Sequence, residues 1–173
     1  MDAQTTAARV RLMGFDVDGV MTDGSLYFTP NGEEFKVFSS LDGHGLKMLQ
    51  HAGIEVAIIS GRSSRALEVR AAALGIAELH MGVEDKRACL RGLLEQRQLQ
   101  AEQAGYMGDD VVDLPILRAC GFSATPCDGH DLVKQHVGYV TRRPAGHGAV
   151  REVCDFLLAA QGKLAALHAA YLG

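Results

Sequence analysis

The sequence predicts an α/β fold, a Rossmann-like three-layer sandwich with a central parallel sheet and a β-hairpin inserted after the first strand. Three observations predict it. Short apolar segments alternate with helical ones along the 173 residues, which is the pattern of a parallel sheet covered on both faces by helices. The segment EVAIIS (55–60) is almost wholly apolar, as a strand buried on both faces must be. Several of the apolar segments run straight into clusters of Asp, Gly and Ser, where open parallel sheets place their ligand-binding loops.

The elements follow in order. Residues 11–17 (RLMGFDV) read as the first strand, ending in an acidic loop. Residues 25–38 (SLYFTPNGEEFKVF) carry aromatic and β-branched residues on both sides of Pro30-Asn31-Gly32, a hairpin signal. Residues 43–52 read as a short helix, 55–60 as the buried strand, and 63–74 as a helix closing at Gly75. A short strand at 79–81 precedes a helix over 85–98, rich in Leu, Arg and Glu. Residues 105–108 (GYMG) form the next strand and 112–120 the next helix. Strand 122–124, helix 131–135 and a last strand at Tyr139 and Val140 follow. Residues 149–171 read as a long C-terminal helix, with Gly162 the one place where it could break.

Composition bounds the function. A chain of 18.5 kDa suits one domain spanning 1–173. Its folded surface should be about 8,000 Å² against about 27,000 Å² unfolded, so a core forms without staples. With 47% hydrophobic and 22% charged residues it is an ordinary globular chain. Lys plus Arg number 17 and Asp plus Glu 21, a net charge of −4, which offers no electrostatic footprint for nucleic acid. No apolar run is long enough for a membrane span, and the polar start resembles no secretory signal. Cys89, Cys120, Cys127 and Cys154 include no C-x-x-C pair. They read as reduced, buried thiols of a cytoplasmic protein. Cys127-Asp128-Gly129-His130 reads as a turn rather than half of a zinc site.

The chemistry lies at the strand ends. The first is followed by Asp16-Val17-Asp18-Gly19, the second by Ser60-Gly61-Arg62 and the fourth by Gly108-Asp109-Asp110-Val111-Val112-Asp113, while Asp85-Lys86 opens the helix after the third. Carboxylates in such number repel one another unless a hard divalent cation joins them. Mg²⁺ suits one or two carboxylates together with phosphate oxygens. A hydroxyl (Ser60) and a point charge (Lys86) complete a phosphoryl-transfer site in outline. There is no G-x-x-x-x-G-K-[ST], no G-x-S-x-G and no reactive-cysteine signature. The nucleophile is then a carboxylate, as in enzymes that pass through an aspartyl-phosphate.

These residues carry a resemblance. Phe15-Asp16-Val17-Asp18-Gly19-Val20 resembles the D-x-D-G-[VT] signature of the haloacid dehalogenase-like phosphatase superfamily. Ser60, Lys86 and Gly108-Asp109-Asp110-x-x-Asp113 match its other three motifs in order. DVDGVMTDG (16–24), GEEFK (32–36), DGHG (42–45), ISGR (59–62), GDDVVDLP (108–115) and GHGAVREVCDFLLAAQGK (146–163) are similar to the capless branch of 3-deoxy-D-manno-octulosonate 8-phosphate phosphatases. The resemblance implies a Mg²⁺-dependent phosphomonoesterase of lipopolysaccharide precursor synthesis, without a cap domain. A phosphatase for a nine-carbon sugar-acid phosphate is the near alternative. A receiver-like signalling domain that keeps its phospho-Asp is the distant one, although a receiver has no second Asp two residues after its phosphoacceptor.

The implied roles are these. Asp16 is the nucleophile and a Mg²⁺ ligand. Asp18 is the acid and base flanking the transfer, a substrate contact, and a metal ligand through its backbone carbonyl. Ser60 and Lys86 hold the phosphoryl group. Asp109 ligates the metal, with Asp110 and Asp113 supporting it. Asp42, Gly43, Lys47, Arg62 and Arg70 face the sugar acid. Leu41 stands where the family carries a basic residue, whereas Arg62 favours the octulosonate over nine-carbon acids. The resemblance further implies a homotetramer in which a neighbouring subunit's hairpin lies near the active site.

Overall fold

The computed structural model describes residues 2–172. Six parallel strands form the central sheet: β1 (Leu12–Phe15), β4 (Glu55–Ile59), β5 (Glu78–His80), β6 (Ala104–Met107), β7 (Phe122–Thr125) and β8 (Tyr139–Val140), in spatial order β5-β4-β1-β6-β7-β8. Two further strands, β2 (Tyr27–Phe28) and β3 (Glu34–Phe35), pair antiparallel as the hairpin. β1 lies at the centre, with Met13 opposite Val56 of β4 on one side and Gly105 of β6 on the other. The chain runs outward from β1 through β4 to β5, then returns to β6 and runs outward the other way. The strand order therefore reverses at β1, the place where open α/β sheets bind ligands.

The two-residue period of the strands divides the core. Met13, Phe15, Val56 and Ile58 point to one face, where α1 (Ala3–Ala7), α2 (Ser40–His51), α3 (Arg65–Leu74) and α7 (Ala149–Ala160) pack through residues such as Ala7, Leu46, Leu49, Leu67, Val153 and Leu157. Leu12, Ala57, Ile59 and Tyr106 point to the other, against α4 (Lys86–Arg97), α5 (Leu114–Leu117) and α6 (Asp131–Lys134) through Leu90, Leu93, Ile116, Leu117 and Val133. The alternation is the pleat itself. The accessible surface, 8579 Å², agrees with the value expected from mass. No helix among the described residues is long and apolar enough to cross a membrane.

Two helix boundaries need correction, and one helix lies where the sequence reading assigned no element. The polar start folds into α1, because Asp2 caps it by accepting from the Thr5 N–H at 2.8 Å. The helix expected at 43–52 begins earlier, at Ser40, with the Ser39 hydroxyl accepting from the Asp42 N–H. The helix expected over 112–120 shrinks to α5, preceded by a 3₁₀ turn over Val111–Asp113. The C-terminal helix breaks where Gly162 allowed it: α7 ends at Ala160, the chain turns at Gln161–Gly162, and α8 (Leu164–Ala169) follows. All four cysteines are free, but only Cys154 is fully buried. Cys127 to His130 forms a turn, with the Gly129 N–H donating to the Pro126 carbonyl at 3.0 Å.

Candidate active site

Four strand ends line one pocket of about 510 Å³ that contains Asp16, Asp18, Gly19, Ser60, Arg62, Lys86, Asp109 and Asp110. β1 delivers Asp16, whose N–H continues the ladder to the Met107 carbonyl of β6 at 2.9 Å. Lys86 is the first residue of α4, behind the Asp85 cap. A cation at a helix N-terminus opposes the helix dipole, so its placement is explained by its partners. The Lys86 ammonium donates to Asp16 at 2.6 Å and to Asp113 at 2.7 Å. Only 8% of Lys86 is exposed.

Asp113 is fully buried, and both its oxygens are engaged. One accepts from Lys86; the other accepts the N–H groups of Asp109 at 3.1 Å and Asp110 at 3.4 Å. Asp113 thus shapes the loop after β6. Gly108 is required for it, since a Cβ there would lie 2.6 Å from the Asp113 Cβ. Gly19 is required on the opposite wall: its φ is +78°, and a Cβ would stand 2.1 Å from an Asp109 carboxylate oxygen. The Asp109 carboxylate accepts no hydrogen bond from the described residues.

Asp16, Asp109 and Asp113 each offer an oxygen within 4.8 Å of the others. Three carboxylates with one lysine leave an excess of negative charge, and the titration of the group reflects it. Burial, then Asp113, raise the Asp16 carboxyl to about 6 despite Lys86. Burial, then Asp16, Asp113 and Asp110, raise Asp109 to about 7. Burial disfavours the charged form of the Lys86 amine, but Asp16 and Asp113 outweigh it and hold the amine above its ordinary value. A carboxylate pair held this far from its comfortable ionised state fits a hard divalent cation. Asp16 and Asp109 are the available ligands, because Asp113 has spent its oxygens on Lys86 and the loop.

Asp18 lies across the pocket with its side chain 22% exposed. Ser60 is buried, and its hydroxyl accepts from the Arg62 N–H at 3.3 Å. Arg62 stands at the rim and donates to Glu34 of β3 at 2.8 Å. Asp110, after β6, is exposed and accepts from the Val111 N–H. The chain's own hairpin closes this side. Lys36, just beyond β3, donates to Asp18 at 2.5 Å and to Glu34 at 3.1 Å. Reading the residues singly missed Glu34 and Lys36, since the hairpin signal says nothing of where its side chains land. The GEEFK similarity was the one pointer to them.

The remaining predicted residues do not line this pocket. Asp42 is a buried residue of α2 that accepts the N–H groups of Gly148 at 3.3 Å and Arg151 at 2.8 Å, capping α7 from a distance. Burial raises its carboxyl above the ordinary value despite those bonds. Gly43 faces Arg70, whose guanidinium nitrogen a Cβ there would meet at 2.1 Å. Arg70 in turn donates to the Ser39 carbonyl at 3.0 Å and lies over the Phe38 ring. Lys47 is exposed on α2. Asp42, Gly43 and Lys47 share one reason, that 40–51 is a helix packed between α3 and α7, while Arg70 on α3 is turned toward the start of that helix.

No family model matches the chain. Among curated proteins, the 3-deoxy-D-manno-octulosonate 8-phosphate phosphatase KdsC of Yersinia pestis is 47% identical over 163 residues, which cover 94% of this chain and 87% of that one. Among solved structures, a probable YrbI family phosphatase from Pseudomonas syringae superimposes with a TM-score of 0.98 at 45% identity, covering 99% and 98% of the two chains. The 3-deoxy-D-manno-octulosonate 8-phosphate phosphatase of Moraxella catarrhalis, solved with a magnesium ion, a phosphate ion and a KDO molecule, does so with a TM-score of 0.95 at 37% identity over 98% and 97%.

Proposed function

The chain belongs to the 3-deoxy-D-manno-octulosonate 8-phosphate phosphatases of the haloacid dehalogenase-like superfamily, and from that premise we propose how its residues carry out the reaction. The activity is Mg²⁺-dependent hydrolysis of the phosphate monoester of 3-deoxy-D-manno-octulosonate 8-phosphate to the free sugar acid and phosphate. The observation that carries the proposal is the chain of contacts Asp16–Lys86–Asp113 at the mouth of β1, with Asp18, Ser60 and Asp109 in the same pocket.

Asp16 and Asp109 hold the Mg²⁺, with the Asp18 carbonyl as a third protein ligand. The ion supplies positive charge against the phosphoryl oxygens and allows both carboxylates to ionise. Asp16 attacks phosphorus, and the bond from phosphorus to the sugar oxygen breaks. Lys86 fixes the rotamer of Asp16 and, with Ser60, donates to the phosphoryl oxygens. Asp18 gives its proton to the departing sugar oxygen, then takes a proton from the water that hydrolyses the Asp16 phosphoester. Asp110 and Asp113 keep the loop after β6 in place, and Arg62 meets the sugar acid at the rim. Lys47, Arg70, Asp42 and Gly43 lie outside the pocket, so the first two can act on substrate only at a face shared between subunits.

The chain works as a single domain, in the cytoplasm, and assembles as a homotetramer. Support for the assembly comes from the hairpin region, where Leu26 and Phe28 on one face and Phe35 and Val37 on the other are each about half exposed. An apolar surface of this kind is suited to a neighbouring subunit, whose hairpin would then shield the pocket from water.

The test is phosphate release from phosphorylated sugar acids of eight and nine carbons, assayed with Mg²⁺ and with a chelator. The eight-carbon substrate is expected to give the highest kcat/KM, and only with the metal. Preference for a nine-carbon acid, or an Asp16→Asn variant that keeps normal turnover, overturns the assignment.

A further inference from the structure

We infer that Lys36 is a positioning residue for Asp18, holding its carboxylate in the orientation from which it exchanges protons with the sugar oxygen and with water. The inference rests on the reading of Asp18 as the acid and base. Lys36 sits 18 residues along the chain and reaches Asp18 only because the hairpin folds back over the pocket. Its side chain is just 4% exposed. Lysine carries a flexible four-carbon stem and a strongly hydrated charge, so burial to this degree requires fixed partners.

The partners form a closed ring. Lys36 donates to one Asp18 oxygen at 2.5 Å. The Arg62 Nε lies 3.8 Å from the other. Glu34 ties the two cations together, accepting from Lys36 at 3.1 Å and from Arg62 at 2.8 Å on the same oxygen. Each Asp18 oxygen therefore faces a different cation, and rotation of the carboxylate would break the shorter contact. Asp16 is oriented in the same way by a buried lysine, Lys86. The two aspartates of the D-x-D motif thus have one orienting lysine each.

The experiment compares Lys36→Met with Lys36→Arg in the Mg²⁺-loaded enzyme on two substrates. The sugar 8-phosphate expels an alkoxide that needs a proton, whereas p-nitrophenyl phosphate expels a stable phenolate that does not. The readout is kcat/KM, which ends at phosphoryl transfer to Asp16 and so excludes the hydrolytic step the substrates share. Lys36→Met is expected to lower kcat/KM about tenfold to hundredfold on the sugar phosphate, the scale of a misplaced acid. On p-nitrophenyl phosphate the fall is expected to stay under about threefold, and Lys36→Arg to recover most of the loss. Asp18→Asn should show the same split between substrates. Equal falls on both substrates, or none on either, overturn the inference; if Lys36→Met does not fold, Lys36→Gln takes its place under the same criterion. Asp16→Asn separates the two levels. If it stays active the phosphatase reading fails, and if it is inactive while Lys36 variants show no split, only the role of Lys36 fails.

Discussion

Without a divalent cation the protein should lose stability as pH rises from about 4 to about 7, and Mg²⁺ should abolish that loss. Asp109 is raised from 3.8 to about 7, by burial first and then by its acidic neighbours. A carboxyl raised in the folded chain binds its proton more tightly there than when unfolded. Its cost is absent below pH about 4, grows as pH climbs, and is complete above about 7. At 1.36 kcal/mol per pH unit that is about 4 kcal/mol. Asp16, raised to about 6, acts in the same direction, but the two perturb each other, so their costs do not add. Asp42 is also raised and contributes with the same sign. Glu34, Glu78 and Glu152, whose partners outweigh their burial, act oppositely, but their gain is complete by about pH 5. Lys86, raised above 10.5, matters only in alkali.

For a chain of this length, about 4 kcal/mol is roughly 10 °C in Tm. The assay is thermal unfolding by circular dichroism from pH 5 to 8, once in chelator and once in millimolar Mg²⁺. The ion binds the ionised folded pair and not the unfolded chain, so the Mg²⁺ series should be nearly flat and the gap between series should widen with pH. Asp109→Asn in chelator should remove most of the slope. A metal-free Tm that is constant or rising over this range, or an Asp109→Asn variant with an unchanged slope, refutes the reasoning.

Gly19→Ala should cost about 1 kcal/mol for its positive φ and push Asp109 aside, since the added Cβ would lie 2.1 Å from its carboxylate; a Mg²⁺ titration should show at least a tenfold weaker apparent Kd. Asp42→Ala should lower stability by about 1–2 kcal/mol, measured by urea unfolding, because the N–H groups of Gly148 and Arg151 lose their cap, while KM stays within about twofold. Lys86→Met removes the cation between Asp16 and Asp113 and should cost about 3–5 kcal/mol in chelator, as for a broken buried pair; phosphate release should fall at least a hundredfold, and Mg²⁺ should narrow the Tm difference.

Much of the fold was legible because the strands are short apolar runs and the helices end on recognisable turns. The sheet centre needed nothing beyond LMGF, buried end to end, and EVAII, buried after Glu55. The site was legible where spacing is local, as in Asp16 with Asp18 and Asp109 with Asp113. What escaped depends on distance. Asp42 looks like a loop carboxylate beside two glycines, yet those glycines are small so that α3 and α7 can approach, and its own partners lie more than a hundred residues away. The helix expected over 112–120 was too long because Asp113 turns inward to Lys86, which commits Val111–Asp113 to a 3₁₀ turn and leaves α5 a single turn. Lys36 carried no signal of its own, since a lysine in a hairpin is ordinarily solvated.

The placement of Lys86 connects these levels. Three carboxylates that meet at the end of β1 cannot be stabilised by one lysine, and a second buried cation would leave no deficit for a metal to fill. Lys86 opens α4 against the helix dipole and neutralises one of the three charges while locking both Asp16 and Asp113. The residual charge is about −2, which a divalent cation matches and a monovalent one does not. Phosphate then enters a site whose negative charges are already compensated, so the nucleophile can approach a dianion without net repulsion. The instability of the metal-free chain and its capacity for phosphoryl transfer are consequences of the same charge deficit, and a variant that relieves the first by removing Asp109 forfeits the second.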